Sequence, residues 1–294
     1  MGIKDLCFDK IKERAENFKR VAEKYPMSQF GIEPKAERFI EENSLAPIIG
    51  TICDQEITAE DAWEFPYWLN EKLKLKGKSV SAKSICELSK EELKELLRDY
   101  MKNKWPSGMS KSRREKYLNN ISRRIIHACK FIFTEYNNEP DNMFKKGIYI
   151  VPEIYFLLRV IPGIGPKKAT MIARDFAKGE GPWYKGICRR LKGQGINFKV
   201  EGKHLSEVPV DIHVVKVFGR VMGEFKNTPK REKFLDYWPD IQNFAKLAFP
   251  DFPGKIDEIL WSVGREYCHE RNPNCKNCPL KDIPCEFGMR RSKP

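Results

Sequence analysis

At 294 residues the chain is long enough for one or two buried cores, and its 54 Lys and Arg against 41 Asp and Glu leave a formal charge of +13. That balance favours a polyanionic partner, with nucleic acid ahead of an anionic membrane surface. No apolar run reaches the roughly 18 residues of a spanning helix, because Pro152, Glu153 and Arg159 interrupt the best candidate, and the opening MGIKDLCFDK fits neither a signal peptide nor a myristoylation site, so a soluble intracellular protein is expected.

Residues 9–24 read as a charged helix with a solvated face, ending before Pro26. An apolar helix around Ile48 to Cys53 then breaks at Asp54-Gln55-Glu56. Thr58 with Asp61 forms a capping box that opens another helix, which Pro66 is expected to bend or interrupt. A second capping box, Ser89 with Glu92, precedes Leu93, Leu96, Leu97 and Tyr100 at helical spacing. The turn-rich connector 102–112 carries Trp105, read as an aromatic anchor for the loop or, less simply, as a DNA contact.

From Arg113 to Tyr136 the pattern is a long amphipathic helix, with Leu118, Ile121, Ile125, Ala128 and Ile132 on one face. Lys111, Arg113, Arg114, Lys116, Arg123 and Arg124 crowd its N-terminal half, where a helix dipole favours acids. An anionic partner or simple solvation would each account for them. After Asn137-Asn138-Glu139-Pro140 a short link leads to VIPGIGPKKATMIARDF, residues 160–176. An apolar helix ends at Val160, a Pro-Gly-Ile-Gly turn follows, and Pro166 sits where the first turn of a second helix tolerates a missing N–H. This is a helix-hairpin-helix. Gly163 and Gly165 are expected to give the turn backbone angles closed to other residues and to let a phosphate approach the main chain at a helix N-terminus.

Residues 177–208 are rich in Gly and basic residues and hold Trp183, Tyr184 and Phe198. Those side chains suit either stacking on a base or a small aromatic cluster of their own. Asp211 precedes a helix bearing Val214, Val217, Phe218, Val221 and Met222, a position where aspartate is most often an N-cap. Further helical patterns follow at about 231–249 and after Pro253-Gly254, the last delivering Cys268 to a cysteine loop. Strand signals are poor throughout, and the fold class is read as all-α.

Four of the nine cysteines fall at Cys268-x6-Cys275-x2-Cys278-x6-Cys285. Four thiolates so close in sequence suit tetrahedral zinc or an iron–sulfur cluster. Cys7, Cys53, Cys86, Cys129 and Cys188 are scattered and read as reduced thiols.

IPGIGPKKA, VDIH and the four-cysteine loop, in that order, resemble the HhH-GPD superfamily of DNA glycosylases, particularly its endonuclease III-like branch. The resemblance spans Leu45 to Cys285 and implies a base-excision-repair glycosylase with AP lyase activity. Its partner would be double-stranded DNA carrying a damaged base or abasic site, with the protein a monomer that needs no membrane, in the cytoplasm or nucleoid of a prokaryote. It implies Lys167, two residues beyond Gly165, as nucleophile and Asp211 as its assistant. Gln55 would fill the gap left by an extruded nucleotide, Gly163, Gly165 and Lys168 would hold a phosphate, and Cys268, Cys275, Cys278 and Cys285 would hold a [4Fe–4S] cluster. It also implies a central helical domain at 45–175, a second lobe from 1–44 plus 205–294, and 177–208 as an insert. That insert makes the spacing from Lys167 to Asp211 longer than the resemblance leads one to expect, and the last cysteine arm is one residue longer than usual. A monofunctional glycosylase acting through Asp211 and water, and a noncatalytic DNA-binding iron–sulfur protein, are the alternatives.

Overall fold

The computed structural model describes residues 6–24, 31–224, 229–281, 283, 285 and 287. The chain divides into two compact units, Phe30–Glu201 and Met1–Gln29 with Gly202–Pro294. The larger holds α2 (Pro34–Glu42), α3 (Ala46–Cys53), α4 (Ala59–Lys74), α5 (Ala82–Cys86), α6 (Lys90–Met101), α7 (Lys111–Glu135), α8 (Val151–Arg159), α9 (Pro166–Lys178) and α10 (Pro182–Lys192). The smaller holds α1 (Phe8–Lys24), α11 (Ile212–Met222), α12 (Trp238–Ala248) and α13 (Ile256–Glu266).

Helices dominate, as expected, with one exception among the described residues. β1 (Ile148–Ile150) and β2 (Lys199–Glu201) pair in parallel, Tyr149 opposite Val200. Three-residue strands are too short to leave an alternating signature, which is why the sequence pattern missed them.

In the larger unit α3 is the central helix, since every residue of APIIGTIC is buried. A helix apolar all round has no solvent face to offer and must be surrounded. It packs on α4 and α7. Thr58 and Ser89 cap α4 and α6 by accepting from the amides of Asp61 and Glu92, and Glu92 returns the bond to Ser89. Pro66 lies inside α4 without ending it, forfeiting one intrahelical bond. Trp105 packs edge-on against Tyr117, with the Arg114 guanidinium over its ring, as befits a loop anchor.

Residues 31–44 and 177–201 are integral to this unit, the former expected in the second lobe and the latter as part of an insert at 177–208. Helix α2 packs on α4 and α10, and the closest approach is at Gly186, where an added Cβ would lie 2.5 Å from the Glu41 carbonyl oxygen. Arg190 makes a paired ion contact with Asp141 at 2.6 and 3.0 Å. Trp183 and Phe198 are buried against Phe176, with ring centroids 5.3 and 5.9 Å away, and Phe198 also meets Phe144. These two rings are core, so stacking on a nucleic-acid base is closed to them. Burial of each such side chain contributes about 1.5–3 kcal/mol.

The smaller unit is a helical core built on Phe18, Val214, Phe218, Phe244, Leu260 and Val263. Gly264 lets α13 lie directly on α11, because a Cβ there would stand 2.6 Å from that of His213. Leu280 and Ile283 are buried in the same core and seat the cysteine loop on it.

Candidate functional site

The hairpin is built by α8, a turn and α9. Ile161 and Ile164 are buried and fix the turn from below, and Arg159 donates to the Ile164 carbonyl at 2.8 Å. Gly163 adopts φ +94°, a region that L side chains rarely enter. Its missing Cβ would also fall 3.0 Å from the Arg124 Cβ and 3.3 Å from the Ile52 Cγ1. Glycine is therefore required there twice over. Gly165 differs from expectation. It is the N-cap of α9 with φ −83°, an angle any residue adopts, and no atom lies within 4 Å of where its Cβ would be. The protein does not need a glycine at 165, but the absence of a side chain leaves open space over the first turn of α9. Helix starts direct unsatisfied amides outward and favour anions there.

The two adjacent lysines of α9 have different surroundings. Lys167 is half-buried, its amine 3.9 Å from the Met171 sulfur. Lys168 is 8% exposed and its amine donates to the Ile52 carbonyl at 2.9 Å. Burial pushes its pKa down to about 8, opposed by the nearby Asp54 and Cys53. Its side chain is turned into the protein, so a phosphate would be met there by the backbone amide rather than the ammonium.

That amine caps α3. A helix leaves its last carbonyls without partners, and here the Lys168 amine takes Ile52 while the Tyr117 hydroxyl takes Cys53 at 3.1 Å. The turn Asp54-Gln55-Glu56 follows directly. Glu56 has φ +62°, uncommon for a residue with a side chain, and its carboxylate accepts from Arg113 Nε at 2.9 Å. Gln55 Oε1 accepts from Arg124 Nη1 at 2.6 Å. The structure thus gathers Gln55, Gly163 and Lys168 around α3, α7 and α9. Arg113, Tyr117 and Arg124 complete the arrangement. Sequence reading grouped those two arginines with a basic patch, and only their pairing with the 54–56 turn separates them from Lys111, Lys116 and Arg123.

In the smaller unit Asp211 is the N-cap of α11, its Oδ1 accepting from the amides of His213 at 2.9 Å and Val214 at 3.1 Å. Two bonds to one oxygen fix the carboxylate in place. Cys268, Cys278 and Cys285 pack against the core of this unit. Burial pushes the Cys278 thiol up to about 12, and Cys268, Cys285 and Cys275 lie near enough to add to that rise. Among the described residues no three His, Cys, Asp or Glu side chains are drawn together as a ready site for a metal ion.

Sequence reading missed Arg220. It is 1% exposed, on the apolar face of α11. Its Nη1 donates to the Cys268 sulfur at 3.2 Å and to the His269 carbonyl at 3.0 Å, its Nη2 meets Glu270 at 3.2 Å, and the guanidinium lies 4.2 Å from the Phe287 ring centroid. The signal was a charged residue among Val217, Phe218, Val221 and Met222, where only a partnered charge is tolerated.

No family model matches the sequence. The chain is 24% identical over 172 residues to an endonuclease III of Thermotoga maritima, the match covering 58% of this chain and 59% of that protein. It therefore spans about three fifths of the length of that curated relative. Structural likeness runs over almost the whole chain. Endonuclease III in a non-covalent DNA complex matches with a TM-score of 0.57 at 16% identity, covering 97% of this chain and 99% of that one. A trapped covalent endonuclease III–DNA intermediate matches with a TM-score of 0.57 at 17% identity, covering 96% and 98%. A thermostable thymine-DNA glycosylase matches with a TM-score of 0.50 at 14% identity, covering 96% and 98%. The chain has the helical fold of the HhH-GPD DNA glycosylases. Within that fold its resemblance is to the endonuclease III-like branch, as the hairpin motif and the cysteine loop lead one to expect.

Proposed function

We propose that this protein is a base-excision-repair DNA glycosylase with AP lyase activity, acting as a monomer on double-stranded DNA that carries a damaged base or an abasic site. The observation that carries the reading is the junction of hairpin and α9. Gly163 at φ +94°, open space over Gly165 and a half-buried Lys167 in the first helical turn offer an anion site with an amine beside it. The net charge of +13 supports attraction to a polyanion.

A stacked base cannot be reached, so the nucleotide is extruded at a cost of a few kcal/mol, and Gln55 fills the vacated space. Lys167 attacks C1′ of the sugar as a neutral amine and the base leaves with the glycosidic electron pair, taking up a proton; the C1′–O4′ bond then breaks as the nitrogen lone pair forms the C=N of a Schiff base, and the ring oxygen leaves as a hydroxyl with the proton the nitrogen sheds. Asp211, held by its two capping bonds, assists the lysine or stabilises positive charge developing on the sugar. Loss of a C2′ proton from the Schiff base then expels the 3′ phosphate by β-elimination.

A [4Fe–4S] cluster suits the four-cysteine set by its donor chemistry, four thiols within one short loop, and Arg220 offers an N–H to the Cys268 sulfur. Bound there, it would hold the loop closed and keep Arg271, Lys276 and Lys281 displayed on it. The test of the whole reading is a panel of duplexes bearing an abasic site, oxidised pyrimidines, uracil, hypoxanthine or 8-oxoguanine. The parent protein, Lys167→Ala and Asp211→Asn are assayed side by side. Strand cleavage by the parent and its loss in Lys167→Ala are expected. Free base without cleavage would instead mark a monofunctional glycosylase.

A further inference from the structure

Arg124 is not used by the proposed chemistry, yet it touches two residues that are, Gln55 and Gly163. Its stem packs under the hairpin, where the Cβ that Gly163 lacks would be 3.0 Å from the Arg124 Cβ. Its tip donates to Gln55 Oε1 at 2.6 Å. Guanidinium is a donor only, so the oxygen of the Gln55 amide must face it and the NH2 must face away. The turn that presents Gln55 is also held at other points, by Lys168 and Tyr117 on the Ile52 and Cys53 carbonyls just before it and by Arg113 on Glu56. The left-handed φ of Glu56 shows a backbone kept in a sparsely populated state, which persists only where its surroundings over-determine it.

We propose that Arg124 is a positioning residue for lesion recognition. It ties the 54–56 turn to the hairpin glycine and fixes the polarity of Gln55, so that a hydrogen-bond donor, not an acceptor, is offered to the base left opposite the vacated site. The inference rests on the reading of this chain as a DNA glycosylase only for what Gln55 meets. The tie between Arg124, Gln55 and Gly163 stands on the geometry of the larger unit alone.

Two measurements test it. The first needs no DNA: amide hydrogen exchange of residues 54–56 in the full-length protein. Arg124→Met is expected to speed exchange there about tenfold, the scale of a lost charge-assisted bond, while the Leu118 to Ile132 segment of α7 keeps its protection. Gln55→Glu, which still accepts from the guanidinium, is expected to stay slow. Unchanged exchange at 54–56 in Arg124→Met overturns the proposal whatever the protein does to DNA.

The second is binding to a duplex with a tetrahydrofuran abasic analogue and to the same duplex intact. Arg124→Met and Gln55→Glu are each expected to lose about tenfold in affinity for the analogue and little for intact DNA. Arg124→Met in a Gln55→Ala background should lose nothing further, because coupled residues do not add. Losses that multiply, or that fall equally on intact DNA, make Arg124 a phosphate ligand and overturn the proposal. A parent protein that binds both duplexes equally would overturn the glycosylase reading instead, and the exchange result then decides the positioning role by itself.

Discussion

Lys168→Met changes one buried amine while keeping the length of the stem. In the native chain the Lys168 ammonium is almost enclosed, and burial lowers its pKa from 10.5 to about 8. A shift of that size corresponds to a penalty of roughly 3 kcal/mol for folding with the group charged. The penalty applies in full below the folded pKa of about 8 and lifts as pH rises toward the unfolded value of 10.5, because in that window the unfolded chain binds more protons. Methionine removes the penalty but leaves the Ile52 carbonyl without its donor, at about 1–3 kcal/mol. At pH 7 the two effects nearly offset, and the variant should lie within roughly 2 kcal/mol of the parent. Between pH 7 and 10 the parent should gain about 2–3 kcal/mol relative to the variant. The buried Cys53 thiol and Tyr117 hydroxyl are both pushed upward by burial and draw stability the other way at alkaline pH. They are common to both proteins and cancel to first order in the difference. Urea melts followed by helical ellipticity at pH 7, 8.5 and 10 measure it. A difference that stays flat or falls with pH refutes the assignment of a buried, charge-destabilised amine at 168.

Gly163→Ala forces a side chain into φ +94° and into contact with Arg124 and Ile52. It should cost about 1–3 kcal/mol in thermal or urea melts and weaken DNA binding, whereas Gly165→Ala, which meets nothing, should leave stability within about 0.5 kcal/mol. Asp211→Ala removes two capping bonds and should lose about 1 kcal/mol of stability. Asp211→Asn keeps a capping oxygen, so its stability should stay close to the parent while base release falls. The purified protein should be yellow-brown with four iron and four sulfide per chain, as [4Fe–4S] requires, and Cys278→Ser should lose both. Colourless protein with stoichiometric zinc would replace the cluster with a single ion.

Much of this was legible in the sequence because it rests on local rules. Capping boxes, the Pro166 start of α9 and the aspartate N-cap each follow from which side chain can satisfy a helix-terminal amide. What eluded the sequence depends on contacts between distant segments. Lys167 and Lys168 are adjacent and identical in type, yet only packing against α3 turns one inward and lowers its pKa. Gly163 and Gly165 look equivalent in PGIG, but one carries a left-handed φ and the other an ordinary one. Arg113 and Arg124 read only as members of a basic patch, and Arg220 carries no local motif at all, until the 54–56 turn and the cysteine loop supply their partners. The aromatics at 183 and 198 read equally as base-stacking groups or as a small cluster of their own, and only the packing of α9 and α10, with Gly186 letting α10 press against α2, makes them core.

The central claim is that Lys167 forms a covalent bond to the sugar. Incubation with an abasic or damaged duplex and borohydride, followed by denaturing electrophoresis and peptide mapping, tests it directly. The account predicts a trapped protein–DNA adduct on the peptide containing Lys167, retained in Lys168→Met and absent in Lys167→Ala. An adduct that persists in Lys167→Ala, or maps to another residue, would contradict it.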